Sequence, residues 1–387
     1  MTQSVLIVGN FLSSSGGSRG VCEELAERLA ARDWRVLTTS RKRPKLLRLA
    51  DMVLSAVKHR HAYGVAQVDV FSGPAFLFAE AVGCTLRRLN KPYVLTLHGG
   101  NLPEFAKRWP GRVRQLLTSA RAVTAPSEYL KQKMEPYCNQ IRILPNALDM
   151  SAYLYRERGP ARPRLVWLRS FHEIYNPVMA VKAMVALSQK YPDVELNMVG
   201  PDKGDGSFAR TRAQVTRGEL TNQVRFAGQV AKKEVPKVLS DGDIFLNTTN
   251  IDNTPVSVIE AMACGLCVVS TRVGGTPFLI DHEQNGLLVE CGDSEGMAAS
   301  AGRFLENEAL ARRCSQAGRH KVEAWDWPTV LVEWDILLRS AMTEKSQRSC
   351  SCSIGDDSAH NKFRPHPGPL PRGDGEARSS EGVLNGP

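Results

Sequence analysis

The chain has 387 residues, 42% hydrophobic and 23% charged, with a formal net charge of +10. Such proportions suit a soluble globular protein, and the length exceeds one comfortable core, so two domains are expected. No apolar run reaches the length of a bilayer span, which excludes a helical membrane protein.

The charge is uneven. Residues 1–150 hold 22 Lys and Arg against 11 Asp and Glu; the remainder holds 28 against 29. One half is basic, which suits a polyanion or an anionic surface. The nine cysteines are scattered through mostly apolar surroundings and read as reduced thiols of a cytosolic protein.

In chain order, VLIVG opens the sequence as a strand, with no basic run before it to suggest a signal peptide. Gly16 and Gly17 follow in a loop before a helical stretch at 19–31. Glycines let a backbone approach a ligand, and the following helix offers free N–H groups. RVLTT is the second strand. Residues 41–61, RKRPKLLRLADMVLSAVKHRH, join a basic cluster to a helix-period apolar stripe. Leu46, Leu49, Val53 and Val57 form the stripe, Leu47 and Leu54 lie beside it, and Lys45, Arg48, Lys58 and Arg60 flank it. The run fits either a surface helix packed on a sheet or an interfacial helix on anionic lipid. Nucleic acid fits less well, because no aromatics are interleaved with the basic residues.

VDVFSG, YVLTLHG, AVTAPS and IRILPN continue the strands, with a helix at 75–89. His98 ends one of them, at the carboxyl edge where doubly wound sheets bind ligands. Ser127 is expected to cap the next helix, and Asn146 to shape a turn. Residues 156–163, RERGPARP, read as a linker. The strand–helix alternation then restarts with RLVWLRS, VELNMVG, VRFAGQV, DIFLNTT, CVVST and GLLVE. Helices are expected at 177–190, 207–217, 233–240, 256–264 and 295–306, and a last one near 328–342. Two doubly wound parallel sheets follow from this order. After residue 342 the composition turns to Ser, Gly, Pro and charge, and that tail is expected to be disordered and without function.

The most informative stretch is 252–274, DNTPVSVIEAMACGLCVVSTRVG. Asp252 is followed at an eight-residue spacing by Glu260 on a short helix entered through Pro255. The free N–H groups at that helix start suit an anion. A carboxylate further along can accept two hydrogen bonds from a vicinal diol such as ribose. Together these point to a sugar nucleotide. Cys264 and Cys267 lack a second ligand pair, so packing is their expected role.

This segment, with Gly274-Gly275, Asn285 to Val289 and Gly292-Asp293, resembles the acid–seven–acid signature of the family-4 retaining glycosyltransferases. The resemblance spans roughly residues 4–342. It implies an α/β fold of the GT-B type, with two Rossmann-like domains facing a cleft and a terminal helix crossing back. The expected divisions are 1–155 for the acceptor, 156–326 for the donor and 327–342 for the crossing helix, with the tail at 343–387. It also implies metal-independent transfer from a nucleoside-diphosphate sugar to a glycan or lipid-linked acceptor, without a cofactor.

By the same resemblance, Glu260 holds the ribose. Asp252 and the segment Asn253, Thr254, Pro255, Val256 and Ser257 hold the sugar and its phosphates. Arg169 clamps the diphosphate, and His98 with Gly16 and Gly17 completes the sugar site. His98, Asp252 and Arg169 are the expected catalytic set. Two departures stand out: Asp252 replaces the family's first Glu, and Tyr175 stands where a clamp Lys is usual. Lys203 is a candidate replacement for that charge. The competing readings are a GT-B epimerase or phosphorylase, and a silent sugar-nucleotide-binding relative. The expected setting is the cytoplasm, with peripheral contact at the inner membrane.

Overall fold

The computed structural model describes residues 3–13 and 20–343. Twelve strands form two six-stranded parallel sheets. The first uses β1 (Ser4–Val8), β2 (Arg35–Thr39), β3 (Val65–Val70), β4 (Tyr93–Leu97), β5 (Ala122–Ala125) and β6 (Ile141–Ile143), in the order β2-β1-β3-β4-β5-β6. The second uses β7 (Arg164–Leu168), β8 (Glu195–Val199), β9 (Val224–Gly228), β10 (Ile244–Asn247), β11 (Cys267–Thr271) and β12 (Leu287–Val289), in the order β12-β11-β10-β7-β8-β9. The helices of the first half are α1 (Val21–Ala30), α2 (Lys45–Lys58), α3 (Phe76–Arg88), α4 (Leu102–Arg108), α5 (Pro110–Leu117) and α6 (Glu128–Met134). Those of the second are α7 (Pro177–Lys190), α8 (Ser207–Arg217), α9 (Val235–Ser240), α10 (Val256–Ala263), α11 (Thr276–Leu279), α12 (Ser294–Glu306), α13 (Glu308–Glu323) and α14 (Trp327–Thr343).

Each sheet is apolar on both faces, as parallel strands covered on both sides must be. Leu6, Val68, Leu95 and Leu97 face α2, α3 and α5. Val5, Ile7, Val65 and Val94 face α1 and α14. In the second sheet Leu165, Trp167, Leu196 and Met198 face α7, α12 and α13, while Val166, Phe245 and Val268 face α9 and α10. Cys264 and Cys267 belong to the cores on opposite faces of that sheet and are not partners. Burial pushes the Cys264 thiol up to about 11 and Cys267 further still.

The chain crosses back at its end. α14 starts at Trp327 and docks on the first sheet, burying Val330, Leu331, Trp334, Leu337 and Leu338 against α1 and β1. Trp327 Nε1 donates to Glu24 at 2.7 Å, and Trp34 Nε1 to Asp335 at 2.7 Å. Those five side chains contribute on the order of 10 kcal/mol gross, before ordering entropy.

Several expectations shift. The linker segment 156–163 is pinned along its length. Arg158 is fully buried, and Arg156 and Arg162 converge with it on fully buried Asp243. α13 has no counterpart in the sequence reading. Its buried stripe is Leu310, Ala311, Cys314, Ser315, Gly318 and Val322, and small residues do not register as an apolar face. On α2 the inward residues are Met52 and Ala56. Leu46, Leu47, Leu54 and Val57 are exposed, so much of the expected stripe points outward. Gly16, Gly17 and the tail lie outside the described residues.

Candidate functional site

In a doubly wound sheet the ligand crevice opens where strand order reverses. The second sheet reverses between β7 and β10, and the chain leaving those strands carries Arg169 and Asp252. The two side chains are ion-paired, at 17% and 13% exposure. Arg169 also lies over the Tyr175 ring, 4.8 Å from its centroid. Asn176 precedes α7 with a φ of 45°, and its side chain makes no cap hydrogen bond to the helix.

The loop after Asp252 is held backbone to backbone. Gly275 N donates to Asp252 O at 3.1 Å. A Cβ on Gly275 would lie 1.7 Å from Asn253 O, and one on Gly274 would lie 2.0 Å from Asp252 O. Only glycine allows this approach. Asp252 Oδ1 accepts from Asn253 N at 2.8 Å. α10 begins at Val256, with Pro255 as its N-cap. Thr254 Oγ1 and Ser257 Oγ, both on nearly buried residues, have no partner among the described residues. Leaving such hydroxyls unmet costs about 1–3 kcal/mol each.

Glu260 lies one turn further and is 4% exposed. Its Oε1 accepts from Tyr153 Oη at 2.6 Å and is ion-paired with Lys232. Burial and the neighbouring carboxylate push the Tyr153 phenol well above its usual range, so it remains a donor. Oε2 has no partner among the described residues. Neither Tyr153 nor Lys232 was singled out from sequence.

The first sheet contributes from its own carboxyl edge. His98 follows β4, with Nε2 3.0 Å from Asp69 Oδ1 at the end of β3. Its ring stacks on Phe71 at 4.9 Å. Asp69 also accepts from Gln67 Nε2 at 2.8 Å. Two residues past His98, Gly100 abuts the other half: a Cβ there would lie 3.1 Å from the Asp252 carbonyl carbon. Ser127 caps α6 through Leu130 N at 3.1 Å, as expected, and its hydroxyl also hydrogen-bonds Asn253. Tyr129 and Phe278 meet across the same junction at 6.0 Å. The structure therefore joins Arg169, Asp252, Asn253 and the start of α10 in one crevice, with the His98 loop against it. Lys203 is exposed. Among the described residues no cluster of three or more His, Cys, Asp or Glu could hold a metal ion.

Residues 161–321 match the family model for glycosyl transferases group 1, and residues 15–152 match that for glycosyltransferase family 4. The chain belongs to this glycosyltransferase family. It is 26% identical over 263 residues to the N-acetyl-alpha-D-glucosaminyl L-malate synthase of Bacillus anthracis, covering 64% of this chain and 66% of that protein. It is 26% identical over 193 residues to the phosphatidyl-myo-inositol mannosyltransferase of Mycolicibacterium smegmatis, covering 48% of each. The chain thus matches two thirds or less of these relatives' length. Anabaena Alr3699/HepE, solved in complex with UDP, superposes with a TM-score of 0.72 at 18% identity, over 87% of this chain and 100% of that one. The shared fold is GT-B.

Proposed function

We propose that this protein is a retaining glycosyltransferase that moves a sugar from a nucleoside-diphosphate sugar to a glycan or lipid-linked acceptor. The observation that carries this is the crevice itself. A guanidinium, a carboxylate and a helix N-terminus with two unmet hydroxyls converge there, and a second carboxylate is set back along the same helix.

Each part has a chemical use. Glu260 presents Oε2 to a ribose hydroxyl while Tyr153 and Lys232 hold Oε1. The α10 amides, Thr254 and Ser257 receive phosphate oxygens. As the glycosidic bond breaks, Arg169 neutralises the charge growing on the departing diphosphate, so the family's metal-independent chemistry suits this site. Asp252 and the Asn253 backbone hold sugar hydroxyls. His98, oriented by Asp69, faces the sugar from the other sheet, and the acceptor enters from that side.

A panel of nucleotide sugars read by thermal shift tests the donor half of this reading. A ligand at about 100 times its Kd adds about 2.7 kcal/mol, enough to raise Tm by several degrees. No shift with any sugar nucleotide would remove the proposal.

Glu260→Ala should weaken binding of the best nucleoside diphosphate about tenfold. Charge-assisted hydrogen bonds to the ribose contribute roughly 1.5–3 kcal/mol each, and water recovers part of the loss. Calorimetry on the folded variant measures it. An unchanged Kd would take Glu260 out of the site.

The acceptor side is basic, and α2 presents an apolar ridge. Leu46, Leu47, Leu54 and Val57 are exposed between Arg41, Lys42, Arg43, Lys45, Lys58 and Arg60. Arg48 is held by Lys42 O, Arg43 O and Asn10 Oδ1, and Arg60 donates to Val57 O, so both guanidinium groups are fixed in place while keeping their charge. We infer a peripheral position on an anionic membrane at the cytoplasmic face, which suits a lipid-linked acceptor. No helix among the described residues is long and apolar enough to cross a membrane. Each basic side chain contributes about 1 kcal/mol near an anionic leaflet, and screening removes it. The protein should sediment with anionic vesicles at low salt, ignore neutral ones, and be released by added salt. Exchanging Arg41, Arg43, Lys45 and Lys58 for Gln should abolish sedimentation with donor affinity unchanged. Indifference to anionic vesicles at low salt would end the membrane reading.

A further inference from the structure

Arg169 makes two contacts that a diphosphate clamp does not require. Its guanidinium stacks on Tyr175, and its Nη2 is taken by Asp252. Its Nε is buried without a partner among the described residues. Tyr175 ends the short 3-10 turn Glu173–Tyr175. Its carbonyl accepts from Thr248 Oγ1 at 2.7 Å, which ties that turn to the exit of β10. The ring is therefore a fixed platform between the two strands that frame the crevice.

A guanidinium binds phosphate best through two parallel N–H groups. With Nη2 committed to Asp252, that fork is half spent. The Arg169 charge is also cancelled where an anion must bind. Resting on the donor reading above, we propose that Asp252 is an internal counter-ion which the donor diphosphate displaces from Arg169. We propose equally that Tyr175 is the positioning residue that keeps Arg169 in place once the carboxylate has left. Cation–π attraction needs no anion, so the stack survives the exchange. The displaced carboxylate is then free to accept hydroxyls of the sugar. Diphosphate binding and capture of the sugar become one event. The Asp252 backbone does not need to move, because Gly275 N holds its carbonyl.

Calorimetry on the full chain with inorganic pyrophosphate, which carries no base, tests this. UDP is run as a second probe. Asp252→Asn keeps the shape and removes the competing charge, so pyrophosphate should bind about tenfold more tightly. Tyr175→Leu should bind about fivefold more weakly, and Tyr175→Phe within twofold of the parent. A change that only loosened the structure could not tighten binding, and Tyr175→Phe separates the ring from the hydroxyl. Unchanged or weaker binding by Asp252→Asn would overturn the counter-ion. Equal binding by Tyr175→Leu and Tyr175→Phe would overturn the positioning role. Arg169→Ala serves as the reference and should lose pyrophosphate binding. If it does not, the donor reading itself falls, an outcome distinct from the other two.

Discussion

Arg169→Ala is expected to turn over its sugar nucleotide about 10²–10³-fold more slowly, with a smaller rise in KM. The diphosphate gains negative charge as the glycosidic bond breaks, and only contacts that strengthen in that transition state lower the barrier. On the proposed reading Arg169 stands where this charge grows; it is partly buried and stacked on Tyr175. If Asp252 is the counter-ion proposed above, it opposes the contribution of Arg169 to ground-state binding, so kcat should suffer more than KM. Arg169→Lys keeps a charge but loses the planar fork and the ring stack, and should fall between the two. Initial rates with the sugar nucleotide identified by thermal shift decide the matter. A rate within threefold of the parent would place the neutralising group elsewhere.

Asp243→Ala should destabilise the protein by about 3–5 kcal/mol, because it leaves buried guanidinium charge without its counter-ion. Asp243 is fully buried at the base of β10. It accepts from Arg162 N at 2.8 Å, Nε at 3.0 Å and Nη2 at 2.9 Å, and from Arg156. Arg158 is itself fully buried, 3.5 Å away, and donates to Gly242 O and to Cys264 O at the end of α10. Burial alone would raise the Asp243 carboxyl, but the bonds from Arg162 and Arg156 outweigh it and hold it at about 2. A carboxyl lowered on folding stabilises the protein above its unfolded value of about 3.9, and that stability is lost as pH falls through about 2. Urea unfolding at neutral pH should show the full loss, and Asp243→Asn should flatten the dependence between pH 4 and pH 2. A loss below 1 kcal/mol would mean that the three arginines are satisfied without the acid.

The strands were legible because their apolar runs are short and regularly spaced; RVLTT and CVVST match β2 and β11 residue for residue. Asp252 and Glu260 were legible because one local element carries both. Tyr153 and Lys232 were not, because they reach Glu260 from 107 and 28 residues away, and no spacing rule joins them. Asp69 did leave a signal: an acid at the end of VAQVDV interrupts a strand otherwise closed to water. The direction of α2 was hidden because its apolar arc is wider than the part the sheet covers, leaving Leu46, Leu47, Leu54 and Val57 exposed. Met52 and Ala56 point inward only because of how the helix lies against the sheet. The pinning of 156–163 was hidden too, since RERGPARP has linker composition while its charge is answered by Asp243 some 80 residues on.

The most direct measurement is product analysis with an isotope-labelled α-linked sugar nucleotide, with and without lipid-linked and glycan acceptors. Nucleoside diphosphate should be released in step with label transfer to an acceptor, and NMR should find the new linkage α, as in the donor. A β-linked product would contradict retention. Label recovered only as free sugar, sugar phosphate or epimerised sugar nucleotide, whatever acceptor is added, would contradict glycosyl transfer itself.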